Sequence, residues 1–474
     1  MSPSRKAGSN HKLPPSKRLK MEADSLDKFN EDMNSNSDSE SDLADGSESS
    51  SNKLQQRQHQ LAKNDLYLET VNRNVLDFDS EKVCSVSLSD SNVYGCLTCN
   101  RYLRGRSRNS ECFQHSINED HHVFISFSTL KFYVLPENYE LDQKSALLLK
   151  DIQLLVNPTF TRTEVDKLDS QQTMGFDLNE NLYHPGFIGL VNFAANDYSN
   201  VVVQALAHVS LLRDYLILHY EDLRSLDLSR RLSLLIRKLW SSHLFKPHVS
   251  SEEVVQYVSR KSNKKFDIQV RGSPKDFLVW MLNHMNHEFT KELSDNIIWK
   301  IFQGKLLVEG RRTKFWVLPL SLPSVTLFKD GMAMDVPQTT LEELISKKKV
   351  QFLHTPKILV LSINRVDDSR KLVGVRNSDL NPTVVRFDPE SLKIDEMKYR
   401  LVANVVYDTT AENPIEKDVK LTTANSMQNE IHYKVQLRDP ARHEWLEIND
   451  LQSRPIEKDL LFLAYTCLQF WEAI

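Results

Sequence analysis

Four potential metal ligands constrain the fold of this chain more than any other feature of its sequence. Two residues separate Cys96 from Cys99, fifteen separate Cys99 from His115, and five separate His115 from His121. A Cys-x2-Cys turn presents two thiolates to one ion, and two imidazoles complete the tetrahedron that zinc prefers. The spacing therefore predicts one structural zinc ion bound by these four residues.

Other ligands and another kind of zinc finger are the alternatives to this assignment. Cys84 and Cys112 are rival thiols and His122 is a rival imidazole, although we expect both cysteines to pack as small apolar side chains. The same spacing occurs in nucleic-acid-binding fingers. Here there is a single copy, set between strand-like runs at 84–88 and 123–134. We therefore expect the site to belong to a larger domain.

The composition indicates two folded domains in a reducing compartment. With 474 residues and 40% hydrophobic content, the chain can build sizeable cores, and its net charge of −4 gives no whole-chain basic excess for nucleic acid. It has no run of about 18 apolar residues, so no membrane segment is predicted. Five cysteines, an odd number, indicate free thiols or metal ligands rather than disulfides.

Residues 1–62 have the composition of a disordered tail. The basic run at 12–20 has the pattern of a nuclear localisation signal, with a solvated basic tail as the alternative. Serines then alternate with acids up to Ser50, which is typical of acid-directed phosphorylation sites. The folded part is predicted to divide at 63–165 and 166–474.

The stretch at 184–209 is predicted to be a loop that turns into a helix. Pro185 and Gly186 end the preceding segment, and polar residues at 196–200 cluster where a helix would be capped. Apolar residues then recur with a helical period at Val202, Ala205, Leu206, Val209, Leu212 and Leu216. We therefore expect one helix whose N-terminus receives residues 192–197.

The remaining segments are predicted to be helices first and strands afterwards, which predicts an α+β fold. Helices are expected at 229–240, after a capping box at 250–253, and after a cap at 273–274. Strands are expected at 315–322, 358–363, 383–387 and 401–407. Because no cysteine lies between Cys112 and Cys467, packing alone must hold these strands together.

Two sequence blocks and the zinc-ligand segment resemble parts of the ubiquitin-specific peptidases. Residues 189–192 (Gly-Leu-Val-Asn) and 201–206 resemble the family's cysteine box, in which a cysteine follows that asparagine by five residues. Residues 431–435, Trp445 and 448–450 resemble its histidine box, and the segment from about 66 to 160 is similar to its zinc finger. The resemblance implies a ubiquitin-hydrolase-type zinc finger followed by a papain-like peptidase fold of thumb, palm and fingers.

The resemblance also places a carboxylate where catalysis needs a thiolate. Asp197 falls on the nucleophile position, His432 on the general base, Asn449 on the orienting residue and Asn192 on the oxyanion position. A carboxylate is a weak nucleophile toward an amide, and beside an imidazole it would raise the histidine pKa and remove the free base. We therefore expect no catalytic residues. For Asp197, a helix cap and a structural ion pair with a histidine stay open.

Three further departures from the family pattern support a cleft that does not catalyse. Ile431 replaces a small glycine beside the histidine, the connection at 408–429 is longer than usual, and residues 272–274 (Gly-Ser-Pro) replace glutamines that line the family's cleft. The Asp-Tyr pair at 197–198, the zinc finger and the acidic serine-rich tail together resemble one inactive branch of the family, which acts in splicing.

That resemblance implies a non-catalytic, nuclear pre-mRNA splicing factor that helps to assemble or maintain the spliceosomal tri-snRNP. Binding of ubiquitin or a ubiquitin-like protein is expected to be weak or lost, and direct RNA contact stays open. One alternative is a ubiquitin-reading adaptor outside splicing, which would use basic residues of the finger such as Arg101, Arg104, Arg106 and Arg108. The other is an active deubiquitinase with a displaced nucleophile, for which Cys467 is the candidate thiol, although we expect it to be buried.

Overall fold

The computed structural model describes residues 66–293, 295–323, 337–366, 380–408 and 431–474. The predicted tail at 1–62, with its basic run, and the long connection at 408–429 lie almost wholly outside these residues. Lys63–Ile474 forms one compact unit. The division at 165/166 stays a prediction.

A small antiparallel sheet carries the predicted metal ligands. Its five strands are β1 (Val93–Cys96), β2 (Tyr102–Arg104), β3 (Val123–Ser126), β4 (Phe132–Val134) and β5 (Tyr139–Glu140), in the order β2-β1-β3-β4-β5. Helix α1 (Glu111–Asn118) lies between β2 and β3. The strand expected at 84–88 is wrong, because the chain turns there and Leu88 has a φ of 55°. The run expected at 123–134 is two strands, separated by a turn at Leu130 with a φ of 56°.

Helices fill the next part of the chain. They are α2 (Gln143–Leu147), α3 (Lys150–Val156), α4 (Arg162–Val165), α5 (Asp197–Ala207), α6 (Ser210–Leu218), α7 (Asp227–Leu239), α8 (Glu252–Lys261), α9 (Pro274–Glu292) and α10 (Ile297–Phe302). Two short strand pairs accompany them: β6 (Gly175–Phe176) with β7 (Leu182–Tyr183), and β8 (Gly189–Leu190) with β9 (His248–Val249).

The single helix expected through Leu216 is wrong, since the chain bends by 84° between α5 and α6. Side chains satisfy the carbonyls at the end of α5: His208 Nδ1 lies 2.8 Å from Gln204 O, and Trp240 Nε1 donates to Ala207 O at 3.0 Å. Every residue of α5 is buried. Buried side chains on both sides stabilise this break between α5 and α6. The periodic apolar pattern of the sequence does not reveal it.

The two predicted caps differ in outcome. Helix α9 begins as predicted, with Ser273 Oγ accepting the Asp276 N–H at 3.4 Å and Pro274 in the first turn. Helix α8 also begins as predicted, but no capping box forms, because the Ser251 hydroxyl donates to Asn200 Oδ1 instead. The predicted apolar face of α9 is fully buried at Phe277, Leu278, Met281, Leu282 and Met285.

The rest of the chain is mainly β-structure. The strands are β10 (Gly304–Val308), β11 (Arg311–Phe315), β12 (Val317–Ser321), β13 (Gln338–Thr340), β14 (Gln351–His354), β15 (Ile358–Asn364), β16 (Val384–Arg386), β17 (Leu392–Ile394), β18 (Met397–Asp408), β19 (His432–Asp439), β20 (Glu444–Asn449), β21 (Gln452–Ile456) and β22 (Thr466–Ala473), with α11 (Leu341–Lys347) after β13. The strand expected at 315–322 combines the end of β11 with β12. The other three expected strands are confirmed within a few residues.

The main sheet places the C-terminal strand, β22, in its interior, between β15 and β18. Its order is β12-β15-β22-β18-β19-β20-β21, with β17 paired to β18. Strand β22 pairs antiparallel with β15, where Val360 faces Phe470, and with β18, where Val405 faces Leu468. A separate sheet, β11-β10-β14, packs Leu306 into a core shared with the main sheet, as expected for strands that packing holds together.

Residues 77–82 connect the metal-binding sheet to the helices. Asp79 accepts hydrogen bonds from Lys238 Nζ at 2.7 Å and from the Ser250 N–H at 2.8 Å. Lys82 pairs with Glu253 at 3.2 Å. One apolar core also continues across this junction, from Leu76 and Val123 to the helices. Among the described helices, none alone is both long and apolar enough to cross a membrane; only the bent α5–α6 pair meets those criteria together.

Candidate functional site

The four predicted metal ligands meet at one end of the small sheet. Cys96 ends β1, Cys99 lies in the following turn, His115 is on α1, and His121 precedes β3. Their ligand atoms all lie within 4.8 Å of one another. The turn between the two cysteines is tight: the Asn100 N–H donates to Cys96 O at 3.0 Å, and Asn100 has a φ of 63°.

The distances between these atoms fit a tetrahedral zinc ion. Cys99 Sγ lies 3.4 Å from His115 Nε2, Cys96 Sγ lies 3.6 Å from His121 Nδ1, and the two imidazole nitrogens are 3.0 Å apart. Zinc bound at its usual lengths has ligand atoms about 3.3–3.8 Å apart, so the two sulfur–nitrogen distances match and the nitrogen–nitrogen distance is slightly short. His122 is engaged elsewhere, with Leu135 O at 2.7 Å. The zinc cofactor expected from the sequence therefore fits this centre.

The two cysteine thiols influence each other strongly. The hydrogen bond to Cys99 and burial raise the pKa of Cys96, whereas the same hydrogen bond lowers the pKa of Cys99 to about 4. The pair thus readily supplies one thiolate, and a bound dication would favour the second. Cys84 and Cys112 are fully buried, as expected for thiols that pack as apolar side chains.

In the cleft, Asp197 is buried at the start of α5 and has three close partners. Its Oδ1 accepts the Tyr198 N–H at 2.9 Å, and its Oδ2 accepts the Tyr433 N–H at 3.1 Å. Oδ2 also lies 3.3 Å from His432 Nδ1. Of the two roles left open for this residue, the structure supports the ion pair with a histidine. The cap is wrong, because Asn196 occupies the N-cap position and Asp197 is the first residue of α5.

His432, at the start of β19, is held between opposite charges. The hydrogen bond to Asp197 raises its pKa above the usual value, although burial and the nearby Arg271 act against this rise. Arg271 Nη1 donates to Ile431 O at 2.6 Å and lies 4.0 Å from Asp197 Oδ2. An imidazole paired in this way favours the protonated form and is a poor general base near neutral pH.

The other two residues that the resemblance placed in the site, Asn449 and Asn192, lie beside carboxylates. Asn449 donates to Asp408 Oδ2 at 3.1 Å. Asn192 hydrogen bonds to Asp450. Burial raises the pKa of Asp450, although this hydrogen bond acts to lower it. The structure thus brings Asp197 and His432 together. Asn449 instead forms a hydrogen bond with Asp408, a carboxylate at the end of β18.

A cavity of about 540 Å³ adjoins Asp197. Cys467 on β22 also lines it, although only 7% of this residue is exposed. Burial raises the pKa of the Cys467 thiol to about 12, so it stays protonated at neutral pH. The expectation that Cys467 is buried is confirmed, and its place beside the cavity was not anticipated.

Sequence reasoning missed three charged residues of the cleft. Arg271 directly precedes the Gly-Ser-Pro segment at 272–274, so its position could have been noted. Asp450 lies within the histidine-box segment and contributes a negative charge near His432. Arg365 lines the cavity from the end of β15, and no sequence signal marks it.

The basic residues of the zinc finger divide between exposed and engaged side chains. Arg106 lies over the ring of Tyr133 at 4.3 Å and donates to Asn138 Oδ1 at 2.9 Å. Arg101 and Arg104 are exposed. The one arginine that stacks on an aromatic ring is therefore already held within the domain.

Comparison with known proteins identifies the family. Residues 188–468 match the family described as "Ubiquitin carboxyl-terminal hydrolase", and residues 84–146 match "Zn-finger in ubiquitin-hydrolases and other protein". The first match covers more than half of the chain. This chain belongs to the ubiquitin carboxyl-terminal hydrolase family. The predicted α+β fold, a ubiquitin-hydrolase-type zinc finger followed by a peptidase fold, is confirmed, and its finger is a zinc-binding one.

Relatives within the hydrolase family carry splicing names. The chain is 33% identical to "Probable mRNA-splicing protein ubp10" of Schizosaccharomyces pombe, over 86% of this chain and 88% of the relative. It is 34% identical to "Pre-mRNA-splicing factor SAD1" of Saccharomyces cerevisiae, over 86% and 93%. A solved structure described as that of "an essential yeast splicing factor" matches with a TM-score of 0.73 and 33% identity, over 86% of this chain and all of that one.

Proposed function

We propose that this chain is a non-catalytic pre-mRNA splicing factor of the nucleus, a scaffold for assembling or maintaining the spliceosomal tri-snRNP. Two relatives named for splicing support the process, and both align over most of their own length. The tri-snRNP and the nucleus are the narrower part of the proposal. They rest on the family branch that the Asp-Tyr pair at 197–198 resembles.

The observation that carries the non-catalytic part is the environment of Asp197. Its carboxylate lies 3.3 Å from His432 Nδ1, where a peptidase would place a thiolate. The ion pair favours the protonated form of His432, so this residue is a poor general base, and Asp197 supplies no nucleophile. We infer that Asp197, His432, Asn449 and Asn192 are structural remnants of a catalytic centre.

Cys467 is a poor replacement for the missing nucleophile. It is nearly enclosed, and its raised pKa leaves almost no thiolate at neutral pH. This argues against the alternative of an active deubiquitinase with a displaced nucleophile.

We also propose Cys96, Cys99, His115 and His121 as the ligands of one structural zinc ion. The closeness of their four ligand atoms supports this assignment. The zinc would hold β1, α1 and the segment before β3 together. We assign it no catalytic role.

Affinity purification of the full chain from nuclear extract, followed by mass spectrometry, tests the proposal. Recovery of tri-snRNP proteins at stoichiometric levels is the expected result. Recovery of ubiquitin conjugates without snRNP proteins would favour the ubiquitin-reading adaptor instead. RNase treatment before elution separates direct protein contacts from those that RNA bridges.

A further inference from the structure

The cavity beside Asp197 has the size and charge of a ligand site. Its volume of about 540 Å³ falls within the range of about 300–1,000 Å³ typical of ligand pockets. Four cationic side chains line it, against two carboxylates: Lys265, Arg271, Lys275 and Arg365, and Asp197 and Asp276. The cavity therefore has a net positive lining, although its nucleophile position is negative.

Arg365 is a buried cation without a carboxylate partner in the described part of the chain. Only 2% of the residue is exposed. Its guanidinium donates to three backbone carbonyls, those of Asn381, Thr383 and Thr466, and its Nη2 has no hydrogen-bond partner among the described residues. Burial lowers its pKa to about 10. A buried donor left unpaired is costly, and an anionic ligand would remove that cost.

Two lysines and a helix end add to the positive lining. Within the described residues, neither Lys265 nor Lys275 forms an ion pair, and Lys265 lies over the ring of Phe266 at 5.1 Å. Residues 273–276, the N-terminus of the 19-residue α9, line the same cavity. The N-terminal end of a long helix carries a partial positive charge that favours anions.

We propose that this degenerate cleft is a binding site for an acidic peptide segment of a partner protein, whose carboxylates contact Arg365, Lys265 and Lys275. The proposal goes beyond the scaffold function and does not depend on splicing. It assigns a ligand to a cleft that the loss of the nucleophile leaves without a reaction.

The shape of the site favours a peptide over a nucleic acid. Because Arg365 is almost enclosed, a slender carboxylate side chain fits beside it better than a phosphate flanked by two sugars. Apolar side chains share the lining, including Phe266, Ile363 and Ile431, and these suit the methylene groups of glutamate and the backbone of an extended peptide. The aromatic rings of the lining, Phe266, Tyr407 and Tyr433, are buried or half-buried, whereas a site built for single-stranded RNA would offer exposed rings for base stacking.

Fluorescence anisotropy with the full chain and a labelled hexaglutamate peptide tests the proposal, at low salt, where screening is weakest. The cleft variant is Lys265→Gln combined with Lys275→Gln. The matched control is Lys305→Gln combined with Lys314→Gln, because these lysines face each other on β10 and β11, are exposed and lie outside the cavity. We expect the cleft variant to bind about tenfold more weakly, a change of about one decade in Kd, and the control to bind as the unmodified chain does.

Arg365→Lys keeps the charge and removes the planar fork, so it should weaken hexaglutamate binding several-fold while circular dichroism shows an unchanged fold. Hexaglutamine should not bind. Equal losses in the cleft and control variants would overturn the proposal, since the attraction would then be general. Tighter binding of labelled hexauridine, or complete displacement by inorganic phosphate, would also overturn it. None of these outcomes depends on the recovery of tri-snRNP proteins, which tests the scaffold function separately.

Discussion

At the scale of single residues, the Asp197–His432 pair defines the electrostatics of the cleft. The aspartate raises the pKa of His432, while Arg271 opposes this rise and Asp450 adds to it. A group whose folded pKa is raised contributes stability that is fully present below its unfolded pKa, about 6.5 for histidine. That contribution is lost as the pH rises through the folded pKa.

Asp197→Asn should lower the pKa of His432, because the variant removes the negative charge that stabilises the imidazolium. An NMR titration of the His432 ring protons measures this directly. Asp276→Asn is the control, because Asp276 lines the same cavity but is exposed and does not contact the histidine. The stability difference between Asp197→Asn and the unmodified chain should shrink as the pH rises above about 6.5. An unchanged His432 pKa in Asp197→Asn would show that the pair is not the cause.

Asp197→Cys alone should restore little or no hydrolysis of di-ubiquitin. The new thiol would face His432, but Asn449 would still be hydrogen bonded to Asp408 and Arg271 would still lie beside the imidazole. Members of a catalytic unit are strongly non-additive, so one restored atom is not enough. Gel-based turnover and labelling by a thiol-reactive ubiquitin probe are the measurements. Turnover by the unmodified chain would contradict the non-catalytic proposal.

At the scale of elements, the proposed zinc ion would hold a turn, a helix and a strand in place. Cys99→Ser should release the zinc and unfold the finger, because structural zinc contributes several kcal/mol of folding free energy. Elemental analysis gives the zinc content and circular dichroism the loss of structure. Cys112→Ala is the control, since Cys112 is also buried on α1 but is not one of the four clustered ligands. Full zinc retention by Cys99→Ser would contradict the ligand assignment.

A second element-scale feature is the junction at residues 77–82. The Asp79 side chain is 17% exposed, and although burial acts to raise its pKa, Lys238 and the Ser250 N–H lower it. Only 3% of Lys238 is exposed. This pair therefore contributes stability above about pH 4 that is lost as the pH falls through the lowered pKa.

Asp79→Ala should destabilise the chain by about 3–5 kcal/mol, because it leaves the buried Lys238 ammonium with the Phe78 carbonyl but without its anionic partner. Glu81→Ala is the matched control. Its partner Arg260 is half exposed, so this ion pair, 2.6 Å long, should contribute about 0–1 kcal/mol. Denaturant unfolding at neutral pH measures both. Similar losses in the two variants would mean that burial of the Asp79–Lys238 pair does not matter.

At the scale of the whole molecule, the finger and the peptidase fold share one apolar core. Leu76, Val93 and Val123 belong to the same core as Phe277 and Leu278 of α9. Regions that share a core and a buried ion pair tend to unfold together. The zinc ion therefore stabilises more than the segment that binds it.

Removal of zinc with a chelator should lower the melting temperature of the entire described fold, and calorimetry should show one transition rather than two. The shift follows from linkage, since zinc binds the folded chain far better than the unfolded one. Asp79→Ala should uncouple the two parts and split the transition. Two separate transitions in the unmodified chain, with only one sensitive to the chelator, would contradict this coupling.

The sequence alone determined features that depend on local spacing. The Cys-x2-Cys turn and its two histidines predict the metal cluster, because a tetrahedral ion fixes which separations can work. The start of α5 near residue 197 follows in the same way, because polar residues at 196–200 precede an apolar helical period, whereas the role of Asp197 was implied by the family resemblance. The start of α9 was predictable from Ser273 and Pro274, because the cap and the first turn lie within four residues.

Only the tertiary structure decided which distant groups meet. Arg271 and Asp450 reach His432 across the cleft, Arg365 is enclosed among carbonyls from other strands, and Ser251 bonds to Asn200 rather than capping its own helix. The break after α5 likewise depends on Trp240, which is 33 residues beyond the carbonyl that it satisfies. These contacts join residues far apart in the chain, and a periodic pattern in the sequence carries no information about them.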